Sequence, residues 1–209
     1  MKRIKIILTA ILMLTMCMGF VGCSEDNSSD SSKRETQTAS FIIQLFPEYA
    51  PKTVENFKSL VKAGFYDGLT FHRVIDGFMA QGGDPNGDGT GGSDKTIDGE
   101  FAQNGFTQNT LSHTRGVVSM ARGSDMNSAS SQFFICFADS TFLDGNYAAF
   151  GKVNDESMEV VDKFLTVERT TNLGGEQNAQ PVTPITIKSA KMINETSDGH
   201  EQAEFTVEF

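Results

Sequence analysis

The chain has 209 residues, a formal net charge of −10, 38% hydrophobic residues, 17 Phe and no Trp. That length favours one domain with appendages, and the acid excess argues against nucleic-acid binding and against electrostatic docking on anionic lipid. The three cysteines, Cys17, Cys23 and Cys136, make no disulfide framework.

The chain opens on the basic stretch Met1-Lys2-Arg3-Ile4-Lys5, followed by an apolar run from Ile6 to Val21. This run is short for a spanning helix and suits a secretory signal over residues 1–22. Phe20-Val21-Gly22-Cys23 resembles a bacterial lipobox, with Phe20 where Leu is usual. The resemblance implies cleavage before Cys23 and lipid attachment to it. The competing readings are an ordinary secretory signal and an uncleaved anchor. Removing Lys2, Arg3 and Lys5 with the signal takes the formal charge from −10 to −13, which leaves a covalent lipid as the membrane tether. One acyl chain holds weakly, so multiple acylation, palmitate included, is expected. The expected location is extracytoplasmic, anchored to the bacterial cell membrane.

Residues 23–39 are rich in Ser and Asp and lack an apolar face, so they read as a disordered linker spanning about 20 Å. An ordered domain is expected over 40–194. Strands are predicted at 41–46, 69–75, 77–81, 117–121, 132–137, 148–153 and 185–192. A helix is predicted at 51–63, opened by Pro51 and carrying the stripe Val54, Phe57, Leu60 and Val61, with Gly64 as its stop. A second is predicted at 156–166, with Met158, Val161, Phe164 and Leu165 on one face. Short strands with two helices indicate a mainly β fold, a closed antiparallel barrel with helices at its ends. Cys136, inside Phe133-Phe134-Ile135-Cys136-Phe137, reads as a buried structural thiol. The tail, 195–209, ends in alternating Phe205, Val207 and Phe209. It reads either as an extra strand beside 185–192 or as a frayed terminus.

Three blocks carry the chemistry. They run from Phe71-His72-Arg73-Val74-Ile75 through Phe78-Met79-Ala80-Gln81-Gly82-Gly83-Asp84, from Val118-Ser119-Met120-Ala121-Arg122 through Ser131-Gln132-Phe133-Phe134, and from Phe142-Leu143-Asp144-Gly145-Asn146-Tyr147 to Gly151. In order, spacing and chemistry they closely resemble the signature of the cyclophilins, over about Phe41 to Ile193. The resemblance implies a closed eight-stranded antiparallel barrel capped by two α-helices. It also implies cis–trans isomerisation of X-Pro bonds with no cofactor and no metal, on proline-containing polypeptides.

The residues fit that chemistry. Amide resonance sets a barrier of about 18–20 kcal/mol. The twisted transition state has a pyramidal proline nitrogen with a lone pair, so a donor aimed at it stabilises that state above either planar one. By resemblance Arg73 is that donor, with Phe78 and Gln81 beside it; Gln81 bonds substrate or positions Arg73. Met79, Phe134 and Leu143 line the proline pocket with Phe78. Ala121 and the backbone of Arg122 meet the extended peptide, Gly89 and Gln132 border a neighbouring groove, and Phe142 and Tyr147 stand at the rim. Taken singly, Arg73 would be a surface charge and the apolar residues core; the combined pattern outweighs those readings. The alternative function is a proline-peptide-binding lipoprotein or chaperone without turnover.

Some features depart from the pattern. Phe142 stands where many cyclophilins carry Trp and Tyr147 where many carry His, so cyclosporin binding is expected to be weak. The strand that normally precedes the segment equivalent to 41–46 is missing, and the tail offers a substitute. Asp84-Pro85-Asn86-Gly87-Asp88-Gly89 opens like a calcium loop, yet its twelfth position is Lys95. His72 reads as a packed strand residue, and His113 and His200 have no acid or nucleophile at a recognisable spacing.

Overall fold

The computed structural model describes residues 36–172 and 174–209. The expected signal segment 1–22, Cys23 and the linker up to residue 35 lie outside the described residues. The first strand, β1 (Thr38–Leu45), begins inside the segment assigned to the linker. Helix α1 (Pro51–Lys62) follows, with Pro51 in its first turn and Val54, Phe57 and Val61 buried. Gly64 leaves the helix at φ +68°, a conformation that glycine adopts without a Cβ penalty.

Strands β2 (Thr70–Ile75) and β3 (Met79–Asp84) form a hairpin. Strands β4 (Val117–Met120), β5 (Phe133–Cys136) and β6 (Ala149–Val153) come next. Helix α2 (Met158–Asp162) is shorter than the apolar stripe suggests and continues as a 3₁₀ turn over Lys163–Thr166. The Asn154 carboxamide oxygen accepts from Ser157 N at 2.9 Å. This bond caps the turn that leads into the helix, and the Asn154 carbonyl accepts from Met158 N at 3.2 Å. A two-stranded ribbon, β7 (Arg169–Thr170) with β8 (Gln180–Pro181), leads into β9 (Thr186–Ile193) and β10 (Gln202–Glu208).

Eight strands close into an antiparallel barrel in the order β1-β10-β9-β2-β3-β5-β4-β6, the last bonded back to β1. Period-two alternation sends Phe41, Ile43 and Leu45 of β1 inward, all fully buried. The interior is dominated by aromatic rings. Phe205 lies within 5.5–5.9 Å of Phe41, Phe57, Tyr66 and Phe133, measured between ring centroids. Gly83 (φ +81°) lets β3 approach β5, since a Cβ there would sit 2.6 Å from the Ser131 carbonyl oxygen.

The C-terminal tail is thus a strand inside the sheet. Thr38 to Gln44 of β1 pair with Glu208 to Gln202, and the other edge of β10 pairs with β9. Ala203, Phe205 and Val207 are fully buried. Without this strand β1 and β9 would present open edges.

Truncation after Asn194 should therefore do more than remove a loose end. It should abolish the cooperative unfolding transition in urea, and Phe205→Ala should cost about 3–5 kcal/mol. A truncated chain that still unfolds cooperatively near the wild-type midpoint would contradict the barrel order.

Candidate active site

The site lies on the outer face of the barrel. Within β2, β3, β5 and β4 one set of alternate residues, including Phe71, Val74, Ala80, Phe133, Ile135, Val118 and Met120, enters the interior core. The other set carries Met79, Phe134 and Cys136. With Leu143 these form a second apolar cluster, against which Ile75, Phe78, Ala121 and Tyr147 pack. Leu143 arrives on a 3₁₀ turn, Thr141–Leu143.

Arg73 reaches this face through a break in alternation. Phe71 pairs with Gly82 and Arg73 with Gln81, adjacent positions on β3, so His72 is an extra residue in β2. Such a bulge shifts the phase of the strand. Phe71 and Val74 point inward, and Arg73 between them is partly exposed on the outside. His72 takes up the shift; it is buried, and its ring nitrogens have no hydrogen-bond partner among the described residues.

A pocket of about 210 Å³ is lined by Arg73, Phe78, Met79, Gln81, Ala121, Arg122, Phe134, Leu143 and Tyr147. Its floor is apolar, and its polar wall is a chain of side-chain bonds. Arg73 Nη1 donates to Gln81 Oε1 at 3.2 Å, Gln81 Nε2 donates to Gln132 Oε1 at 2.8 Å, and Gln132 Nε2 donates to the carbonyls of Gly91 at 2.7 Å and Gly89 at 3.1 Å. The opposite edge of the guanidinium meets the Glu176 carboxylate, through Nε at 2.6 Å and Nη2 at 2.8 Å. Gly89 and Gln132 belong to an adjoining groove of about 290 Å³ that shares Gln81, Ala121 and Arg122 with the pocket. The Arg122 side chain turns back, donating to the Asn146 carbonyl and lying over the rings of Phe101 and Tyr147.

Phe142 stands apart from the other sequence-predicted residues. It is 70% exposed and does not line the pocket, meeting it only by ring contact with Phe78 at 5.6 Å. Tyr147 stands edge-on to Phe134 at 5.9 Å and does line it. Cys136 lies behind the pocket, its thiol pushed up to about 12 by burial. In the calcium-like loop Asp84 is buried, and its carboxylate accepts from the backbone N–H groups of Asn86, Asp88 and Gly89. Its oxygens thus close the turn, and no cluster of metal-ligating side chains is found among the described residues.

Three partnerships have no sequence signal. Glu176 reaches Arg73 from a position 103 residues away in sequence. The histidines without an acid at a recognisable sequence spacing find one in the fold: His200 Nε2 lies 3.2 Å from Glu48 Oε1, and His113 Nδ1 lies 2.8 Å from Asp144 Oδ1, with its Nε2 3.0 Å from Ser119 Oγ. The buried imidazole stacks behind Phe134 at 6.0 Å, and Asp144 also accepts from His113 N and Ser112 Oγ. These bonds fix the turn that carries Leu143. Only proximity in the fold, 31 residues apart in sequence, joins the pair.

Comparison with known proteins agrees with this geometry. The family model described as cyclophilin type peptidyl-prolyl cis-trans isomerase/CLD matches residues 33–192. A peptidyl-prolyl cis-trans isomerase of Helicobacter pylori (strain J99) is 46% identical over 131 residues, 62% of this chain and 77% of the relative. Peptidyl-prolyl cis-trans isomerase A of Dickeya dadantii is 40% identical over 194 residues, 90% of this chain and 98% of the relative. The crystal structure of a Cryptosporidium parvum cyclophilin type isomerase, determined in the presence of the dipeptide Ala-Pro, superposes with a TM-score of 0.58 at 30% identity, covering 74% of this chain and 95% of that one. The family match stops before β10.

Burial holds His113 and His72 below the ordinary 6.5. The unfolded chain binds protons at these groups near pH 6.5 while the folded chain does not. Stability is therefore lost as pH falls below that value, until the folded groups titrate. The slope of unfolding free energy against pH, between about pH 7 and 5, should flatten in His113→Gln; an unchanged slope would contradict a neutral buried His113.

Proposed function

The chain belongs to the cyclophilin type peptidyl-prolyl cis-trans isomerase family, and from that premise we propose how it turns over X-Pro bonds and where it does so. The chain is a peptidyl-prolyl cis-trans isomerase. Its proline ring enters the apolar pocket of Phe78, Met79, Phe134 and Leu143, while the residues before proline run along Ala121 and Arg122 toward the groove of Gly89 and Gln132. The relative determined with Ala-Pro supports a proline-peptide substrate.

One observation carries the mechanism: a guanidinium and an apolar floor line the same pocket. Arg73 has five N–H donors; three are engaged with oxygens of Glu176 and Gln81, a fourth, on Nη1, meets Met79 Sδ at 3.5 Å, and one on Nη2 is left. A remaining N–H faces the proline nitrogen as the amide twists. The planar amide has little lone pair on nitrogen to offer, so this bond strengthens on the way to the transition state. Gln81 holds the donor, and Phe78, 5.8 Å from the guanidinium carbon, supports it from one side. No bond to carbon is made or broken, and rotation needs no nucleophile.

The enzyme acts outside the cytoplasm, tethered through a lipid on Cys23. The support is the basic opening, the apolar run to Val21 and Gly22-Cys23, with residues 24–35 as the spacer before β1. Among the described residues no helix is long and apolar enough to cross a membrane.

Arg73→Ala should lower kcat/KM by about 10²–10³-fold, the range for loss of one transition-state donor, with the fold retained. Near-wild-type turnover in a protease-coupled assay would sink this role. Cys23→Ala should move the protein from the membrane to the soluble fraction without altering turnover; mass spectrometry that finds unmodified Cys23 in the mature protein would refute the anchor. Cyclosporin should bind weakly, and Phe142→Trp should tighten it by adding an indole donor at the exposed rim. An unchanged inhibition constant would count against Phe142 as a rim residue.

A further inference from the structure

We propose that Glu176 is a positioning residue of the isomerase reaction: it clamps the Arg73 guanidinium by two parallel bonds, so that the opposite edge is presented to the proline pocket. The inference rests on the reading of Arg73 as the donor to the proline nitrogen.

The first ground is geometric. A fork of Nε and Nη2 on one carboxylate, at 2.6 and 2.8 Å, fixes the plane of the guanidinium as well as its distance. A single contact would leave the group free to rotate. The Gln81 bond to Nη1, at 3.2 Å, is longer and uses an uncharged acceptor. Glu176 is therefore the stronger of the two holds, and it acts from the side away from Gln81.

Glu176 is itself held. Its backbone N–H donates to Asn172 Oδ1 at 2.9 Å, its carbonyl accepts from Asn172 N at 3.0 Å, and its carboxylate accepts from Asn172 Nδ2 at 3.1 Å. Gly175, at φ +81°, makes the tight return that closes this turn. The segment is pinned to the strand bearing Arg73, because Val74 N donates to the Ala179 carbonyl at 2.7 Å. The carboxylate thus has a fixed origin relative to β2.

Energetics say which effect wins. A carboxylate beside the guanidinium offsets part of its charge, which weakens the donor. Yet a free arginine side chain has many rotamers to lose, and the transition state rewards a donor that is already aimed. The ion pair is partly exposed, with side chains 27% and 37% accessible. Solvent therefore screens both the charge loss and the attraction of the pair, while the direction of the two forked hydrogen bonds still sets the plane of the guanidinium. Aim outweighs lost charge.

The test is a double-mutant cycle on the full chain, with kcat and KM measured on an X-Pro tetrapeptide. Glu176→Gln should lower kcat/KM by about tenfold or more, mainly through kcat, at an unchanged thermal midpoint. Asn172→Ala, which loosens Glu176 without removing its charge, should lower it in the same direction by less. In the Arg73→Ala background Glu176→Gln should have no further effect. Wild-type turnover in Glu176→Gln, beside a depressed Arg73→Ala, would overturn the inference and leave the Arg73 reading intact. An equal loss in both backgrounds would also overturn it, since Glu176 would then act through the fold. Full activity of Arg73→Ala would overturn the donor reading and the clamp together. If Glu176→Gln fails to fold, Asn172→Ala in the same two backgrounds decides by the same criteria.

Discussion

The site depends on one extra residue in one strand. If β2 alternated strictly, Phe71 and Arg73 would share a face. The arginine would then be buried in an aromatic core with no counterion, at a cost of several kcal/mol, or Phe71 would be stranded outside. The bulge at His72 removes the conflict, since Phe71 pairs with Gly82 and Arg73 with Gln81. After the bulge the outward positions are Arg73 and Ile75, directly across from Gln81 and Met79. Gln81 in turn faces Phe134, and Met79 faces Cys136. A single phase shift thus lines up Arg73, Gln81 and the apolar floor on three adjacent strands. His72 bears the cost, as a buried ring whose nitrogens find no partner among the described residues.

What was legible from sequence follows from the range of the interactions involved. Strand positions and the first helix follow from periodicity, because burial on one face is a local pattern. The blocks around Arg73, Phe134 and Leu143 are legible because each pocket residue sits in a contiguous motif, and one pocket gathers Arg73, Phe78, Met79, Gln81, Ala121, Arg122, Phe134, Leu143 and Tyr147. Phe142 was less so. A 3₁₀ turn puts Thr141, Phe142 and Leu143 about 120° apart, so Leu143 takes the inward place and Phe142 is left outside. The stripe over 156–166 is shared between α2 and the 3₁₀ turn Lys163–Thr166, since an apolar stripe of three- and four-residue spacings does not distinguish the two helix types.

Glu176 and the His113–Asp144 pair escaped for a different reason. A carboxylate in a Gly-rich loop has no pattern that distinguishes a clamp from a solvated charge, and acidic residues are plentiful in this chain. Only closure of the fold brings β2 beside the 172–179 segment. His113 is similar. Its bonds to Asp144 and Ser119, and its stacking on Phe134, join three elements that are separate in sequence. Buried polar groups must find partners, but the rule does not name the partner until the chain is folded.

The closing strand shows how a family's site tolerates a changed frame. In the ring of eight strands β10 lies four steps from β5 in either direction, diametrically opposite the strand that carries Phe134. Its bonds run to β1 and β9 alone, and neither supplies a residue to the pocket. The route between them is the packed interior, where Phe205 meets Phe133 at 5.7 Å. Phe133 and Phe134 point to opposite faces of β5, so a change in the Phe205 contact presses on the inner side of the sheet. The ladders of β5 with β3 and β4 resist that displacement. Closure and chemistry therefore occupy opposite walls and opposite faces of one barrel. A strand drawn from beyond the family-matched region can complete the first without altering the second, provided that it returns an alternating apolar face to the core, as Ala203, Phe205 and Val207 do.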